Sequence, residues 1–189
     1  KDDEIVVYDN SDVLSSCRCW YNFIYFGHSD KLIHVLNGGL KKWKSEKKPT
    51  TSIITKINPT KYTSSERKNL VKNKSEINEN IISEKFKVID ARSKERFEGK
   101  VKEPRKGLRS GSIPKSMCIP FGNLINDDNT FKNENEILNI FKNTLGEEIT
   151  TNIVFSCGSG VTASVLALAY SLINNKYMPT IYDGSWAEY

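Results

Sequence analysis

A chain of 189 residues, with 38% hydrophobic and 27% charged side chains, has the make-up of a soluble globular protein of one domain or one and a fraction. No apolar run approaches the ~20 residues of a membrane helix. The net charge of +5 sits in Lys-rich stretches such as Lys41 to Lys48, which lack the interleaved aromatics of a nucleic-acid surface, so neither a membrane nor a nucleic acid is expected as a partner.

Short apolar runs ending in turn residues predict strands in chain order at Ile5 to Tyr8, Ile33 to Leu36, Lys87 to Asp90, Met117 to Ile119, Ile153 to Phe155 and Thr180 to Tyr182. Helical patterns fall between them. One runs from Cys19 to Phe26, with Trp20, Phe23, Ile24 and Phe26 as its apolar side chains. Asn73 to Glu84 forms a short surface helix with Ile77, Ile81 and Ile82 turned inward. Glu134 to Leu145 places Ile137, Leu138, Ile140 and Phe141 on its inner side. Thr162 to Ile173 is apolar almost all round, the pattern of a helix buried on most sides. Strands alternating with helices argue for an α/β fold with a parallel sheet flanked by helices. Pro49 to about Lys61 is polar, with Thr, Ser and Lys, and reads as a linker.

The sequence repeats itself. Ile5-Val6-Val7-Tyr8-Asp9 leads through a helix and a strand to Leu36-Asn37-Gly38-Gly39-Leu40. Ile153-Val154-Phe155-Ser156-Cys157 leads through a helix and a strand to Tyr182-Asp183-Gly184-Ser185-Trp186. The spacing is 28 residues from Asp9 to Asn37 and 26 from Cys157 to Asp183. The first copy has no counterpart of the Lys87 to Phe121 region. The expected organisation is therefore the tail of an N-terminal module with its linker over residues 1–58, followed by one complete C-terminal module over 59–189.

Four cysteines are present: Cys17, Cys19, Cys118 and Cys157. They match neither a disulfide framework nor a pair of zinc knuckles, and Cys17-Arg18-Cys19 is too tight for a zinc loop. No metal or cofactor is expected, and a reducing compartment, cytoplasmic or mitochondrial, fits. Cys118 lies within an apolar strand with no glycine turn behind it, as a structural cysteine would.

Cys157-Gly158-Ser159-Gly160-Val161-Thr162 sits between a buried strand and a buried helix, where parallel α/β folds bind ligands. Two glycines let successive N–H groups turn toward one spot, an anion nest to which the helix adds its positive end. A cysteine there is expected to be largely thiolate and reactive, and the same cradle suits the sulfur of a persulfide. A phosphatase loop would carry arginine six positions after the cysteine; Ala163 stands there, which excludes that chemistry.

The run Ser156 to Ala163 followed by Tyr182 to Trp186 resembles the signature of 3-mercaptopyruvate sulfurtransferases, of the two-module rhodanese family. The resemblance extends to Val88 to Arg92, Arg96-Phe97, Glu103-Pro104-Arg105, Gly107 and Arg109-Ser110-Gly111. In the first part of the chain it covers Gly27-His28, Gly38-Gly39-Leu40 and Trp43. It implies a rhodanese-type sheet and a non-catalytic first module. In the chemistry it implies, Cys157 takes sulfur from mercaptopyruvate and releases pyruvate. A thiol such as reduced thioredoxin, or cyanide in an assay, then accepts the sulfur.

In that scheme the amides of Gly158 to Thr162, among them those of Gly160 and Val161, hold the sulfur anion. Ser159 helps deliver a proton, and Arg96 and Arg105 bind the donor's carboxylate and carbonyl. Asp90 and Arg92 form a structural ion pair beside the loop, and Trp186 either walls the site or packs in the core. Thiosulfate-preferring relatives carry basic residues after the cysteine. Gly158 and Ser159 stand there instead, which favours a monoanionic donor and leaves thiosulfate as the alternative. Where the family has a histidine between Gly111 and Ile113, this chain has Ser112. The histidine and aspartate that the family pairs with the loop serine would lie upstream of residue 1. A non-catalytic binding module is the competing reading, and the intact cysteine loop counts against it.

Overall fold

The computed structural model describes residues 2–147 and 149–189. The first unit opens with β1 (Ile5–Val7), α1 (Ser15–Tyr25), β2 (Ile33–Val35) and α2 (Gly39–Ser45). The two strands pair in parallel, Ile5 opposite Ile33. Helix α1 starts four residues before the sequence-based estimate, and the N–H of its first residue, Ser15, donates to the Ser11 hydroxyl at 3.1 Å. Its buried face is Cys17, Trp20, Tyr21 and Ile24, at the three- and four-residue spacing of one helical stripe. Residues 48–67 carry no regular structure.

The second unit follows with β3 (Val71–Lys72), α3 (Lys74–Ser83), β4 (Lys87–Asp90), α4 (Lys94–Phe97) and β5 (Met117–Cys118). It ends with α5 (Glu134–Leu145), β6 (Ile153–Ser156), α6 (Ala163–Ile173), β7 (Ile181–Tyr182) and α7 (Ser185–Glu188). Its sheet is parallel throughout in the order β3-β7-β6-β4-β5. The four residues of central β6 are all buried, which explains why it reads as an unbroken apolar run. Capping boxes start α3 and α5: Asn73 and Asn133 accept the N–H of Glu76 and Glu136, whose carboxylates bond back to the cap N–H.

Periodicity missed β3, α2, α4 and α7, all too short to show it. It also mis-set one face of α3: Ile77 is buried, but Ile82 is exposed, and the inward position belongs to Asn80. The Asn80 amide is fully used there, donating to the Phe86 carbonyl at 2.8 Å and accepting the Phe86 N–H at 3.0 Å. A polar side chain that closes a local turn can displace an isoleucine from the inner face.

The repeat is real in three dimensions. The Leu40 N–H donates to the Asp9 carbonyl at 2.9 Å, and the Trp186 N–H donates to the Cys157 carbonyl at 2.9 Å. Helices α1 and α6 pack against each other, so the two copies share one core. Among the described residues no helix is long and apolar enough to cross a membrane.

The core under β6 is aromatic. Phe155 meets Phe141, Tyr170 and Tyr177 edge to face at centroid distances of 6.0, 5.9 and 5.9 Å. Phe155→Ala is expected to lower unfolding free energy by about 3–5 kcal/mol in urea denaturation. A loss below about 1 kcal/mol would mean that this cluster does not anchor the strand carrying the cysteine.

Candidate active site

Cys157 is the first residue after β6, at the carboxyl edge of the sheet, and is 2% exposed. The chain then reverses into α6 through Gly160, whose φ of +82° is natural only to glycine. The reversal turns two backbone amides onto the Cys157 sulfur: Gly160 N–H donates at 3.0 Å and Ser159 N–H at 3.4 Å. Of the five amides from Gly158 to Thr162, these two hydrogen-bond the Cys157 Sγ itself. Helix α7 braces the loop from behind through Trp186 N–H to Cys157 O and Ala187 N–H to Gly158 O at 3.2 Å.

The equivalent turn after β1 holds a carboxylate. The Asp9 carboxylate accepts from the hydroxyls of Ser11 and Ser15, each at 2.6 Å, and from Ser16 N–H at 3.2 Å. Burial alone would raise its pKa, but these donors outweigh burial and hold it below the usual aspartate value. Cys17 and Cys118 behave differently. Burial, aided by the charges of Asp9 and Asp90 respectively, pushes each thiol up to about 12. All four cysteines are free thiols.

The cysteine loop floors a cavity of about 240 Å³ whose walls include Arg96, Arg105, Leu108 and Val13. Both sequence-predicted arginines therefore face the same space as Cys157, Ser159, Val161 and Thr162. They differ in charge state of their surroundings. Arg96 donates through Nε to Glu103 at 3.1 Å and through Nη2 to Glu103 at 2.5 Å. Arg105 is exposed and has no hydrogen-bond or ion-pair partner among the described residues.

Asp90 and Arg92 lie beneath the loop rather than in the cavity wall, fully buried, paired at 2.7 Å. Arg92 also reaches Glu103 at 2.8 Å, which completes a chain Asp90–Arg92–Glu103–Arg96 of two anions and two cations. Trp186 is buried between the guanidinium groups of Arg92 and Arg109, 4.9 and 4.7 Å from its ring centroid, and does not border the cavity. Its role is packing.

A profile of the rhodanese-like domain family matches residues 1–46 and 73–189. The chain belongs to the rhodanese family. It is 35% identical over 210 residues to thiosulfate/3-mercaptopyruvate sulfurtransferase 1, mitochondrial, of Arabidopsis thaliana, with 99% of this chain and 54% of the relative covered. It is 34% identical over 187 residues to the mouse 3-mercaptopyruvate sulfurtransferase, covering 98% of this chain and 62% of the relative. The crystal structure of the Tum1 protein from Saccharomyces cerevisiae superposes with a TM-score of 0.83 at 28% identity, over 99% of this chain and 66% of that one. The chain thus spans between 54% and 62% of the length of these two curated relatives.

Two residues of this rhodanese site were given no role by sequence reasoning. Ser185, at φ +53°, accepts the Cys157 N–H at 3.3 Å and lies 4.0 Å from the Cys157 sulfur. The repeat held the clue, since Gly39 occupies the same position at φ +56°. The Ser185 hydroxyl, absent from glycine, joins the Cys157 N–H to the Tyr182 carbonyl, to which it donates at 3.0 Å. Glu103 is the second: one of two acids between Arg96 and Arg105, whose partners only the fold reveals.

Burial by itself would raise the Glu103 carboxyl, but the hydrogen bonds and charges of Arg96 and Arg92 outweigh it and hold the group below the usual glutamate range. A carboxyl depressed in the folded state stabilises above its unfolded pKa, and that contribution is lost as pH falls through the folded value. Glu103→Gln is expected to cost about 3–5 kcal/mol at neutral pH, because it leaves buried guanidinium charge underpaired. The gap to the parent should shrink on acidification below about pH 4. Urea titrations across pH check this, and a gap that stays constant into acid would refute the charge account.

Proposed function

We propose that the chain is the sulfur-carrying part of a sulfurtransferase, with residues 1–58 closing a first module and 59–189 forming the catalytic one. The observation that carries the reading is the convergence of the Ser159 and Gly160 amides on the Cys157 sulfur, at the floor of a cavity walled by Arg96 and Arg105. Backbone donors fixed in a buried turn stabilise a sulfur anion without reorganising.

In the first half-reaction the Cys157 thiolate attacks the sulfur of 3-mercaptopyruvate. The new S–S bond forms as the C–S bond breaks, and the electron pair leaves on carbon as the enolate of pyruvate. Ser159, on the loop that lines the cavity, helps deliver the proton that completes pyruvate. Arg105 holds the donor carboxylate and Arg96 lies beside the loop to receive the carbonyl oxygen. In the second half-reaction an acceptor thiolate, such as that of reduced thioredoxin, or cyanide, attacks the outer sulfur and regenerates the Cys157 thiolate. Such thiol chemistry suits a reducing compartment, cytoplasmic or mitochondrial.

Thiosulfate is the second donor to consider, since it would deliver its outer sulfur and leave as sulfite. Charge accounting favours mercaptopyruvate. Glu103 already neutralises Arg96, Gly158 and Ser159 carry no charge, and Arg105 supplies one open cation at the cavity. One open cation matches a monoanion better than a dianion.

Incubation with mercaptopyruvate should add about 32 Da, one sulfur atom, to Cys157 in the intact mass, and Cys157→Ser should abolish the adduct. Variants at Cys17, Cys19 and Cys118 should retain it. Sulfur uptake persisting in Cys157→Ser would remove the central claim.

Donor choice should be reversible. Gly158→Arg combined with Ser159→Lys places two cations at the loop and should shift relative persulfide formation toward thiosulfate by roughly 1–3 kcal/mol. An unchanged donor ratio in a folded variant would show that loop charge is not the selector.

A further inference from the structure

The sulfur-binding turn is gripped from the other repeat unit. Arg18 lies on α1, yet its Nη1 donates to the Gly160 carbonyl, 142 positions away in sequence, at 3.3 Å. The same nitrogen pairs closely with the Asp183 carboxylate at the end of β7. The guanidinium rests on the Tyr21 ring at 5.6 Å, and Tyr21 is itself fixed by donating its hydroxyl to the Leu70 carbonyl at 2.6 Å. Arg18 touches neither the Cys157 sulfur nor the cavity wall.

Gly160 is thereby held at both ends. Its N–H is the nearer of the two donors to the Cys157 sulfur, and its carbonyl accepts from Arg18 and from the Ser164 hydroxyl on α6, each at 3.3 Å. A Cβ at this position would stand 2.7 Å from the Asp183 carboxylate and 2.8 Å from Arg18 Nη1, so the pair closes over the glycine without a gap. The carbonyl and the N–H lie on either side of the Gly160 φ/ψ pair, so a grip on the carbonyl restricts the rotation that aims the N–H at sulfur.

The first copy has a cross-unit contact at the matching place: Asn37, the counterpart of Asp183, accepts the Phe131 N–H at 2.8 Å. There the contact ties two loops and carries no charge. At the cysteine turn it is charged and ends on the residue that solvates the sulfur.

We propose that Arg18 is a positioning residue for sulfur transfer. Paired with Asp183, it locks Gly160 in the left-handed conformation that aims its amide at Cys157, so reactivity of the cysteine depends on how α1 packs against α6. The proposal rests on Cys157 being the nucleophile. The ion pair is partly solvated, with side-chain exposures of 26% and 47%, and pairs of that kind add little to global stability. Reactivity and stability therefore separate on mutation.

The test uses the whole chain with Arg18→Ala and Arg18→Lys. The rate of Cys157 alkylation by iodoacetamide is followed against pH by peptide mass mapping, beside the thermal unfolding midpoint. Arg18→Ala should move the alkylation profile toward alkaline pH by about one unit, the effect of weakening one charge-assisted hydrogen bond to the thiolate. Arg18→Lys should recover part of the shift, and both variants should unfold close to the parent temperature. A parent-like profile in Arg18→Ala overturns the proposal. So does a shift that comes with a large drop in unfolding temperature and no recovery in lysine, which would mark Arg18 as merely structural. If parental Cys157 alkylates no faster than Cys118 at neutral pH, the nucleophile reading itself fails, and that result is distinct from the other two.

Discussion

Two peptide N–H groups can meet at one sulfur only if the backbone reverses within three residues of leaving a strand. The turn after β6 does this with Gly160 in the left-handed region, and much of the second unit serves to keep it there. Central β6 is anchored by aromatic rings, so the cysteine leaves the sheet from a fixed point. Helix α7 holds the carbonyls of Cys157 and Gly158, which leaves the amides of the following residues facing the sulfur. A thiolate in that position is solvated by protein dipoles that are already aligned, where water would have to be ordered anew.

The charges around the turn are arranged in depth. Asp90, Arg92 and Glu103 are withdrawn from solvent and satisfy one another, so the desolvation cost of each is offset by its neighbours. Arg96 sits at the end of that chain with its charge already matched, and is held in place by Glu103. The open cation of the cavity is Arg105. A buried network that is neutral as a whole can fix the geometry of a rim without attracting every anion to it.

The two copies of the βαβ unit show what the backbone does and what the side chain adds. Both place a hydrogen-bond acceptor at the same strand-to-helix turn: the Asp9 carboxylate, held by serine hydroxyls, in one and the Cys157 sulfur, held by backbone amides, in the other. Both close the turn with the same carbonyl contact, to Leu40 or to Trp186. The difference lies in Ser185, which accepts left-handed geometry that Gly39 adopts freely and in return offers a hydroxyl to the cysteine.

The sequence by itself determined the α/β class, the parallel order of strands and helices, the repeat and the identity of the cysteine turn. These follow from local signals: apolar runs of strand length, helical periodicity, and two glycines at one strand end, none of which needs a distant partner to be read. Tertiary structure alone decided the rest. Elements of two to seven residues such as β3, α2 and α7 exist because neighbours pair with them, and their own periodicity is too short to announce them. Asn80 displaced Ile82 from the inner face of α3 because the Phe86 backbone happened to need both halves of an amide. The role of Glu103 depends on two arginines brought together by folding, and that of Arg18 on a helix from the other repeat lying across the turn. Charge pairing and carbonyl capture act through distances of about 3 Å, and sequence separation says nothing about which groups will come that close.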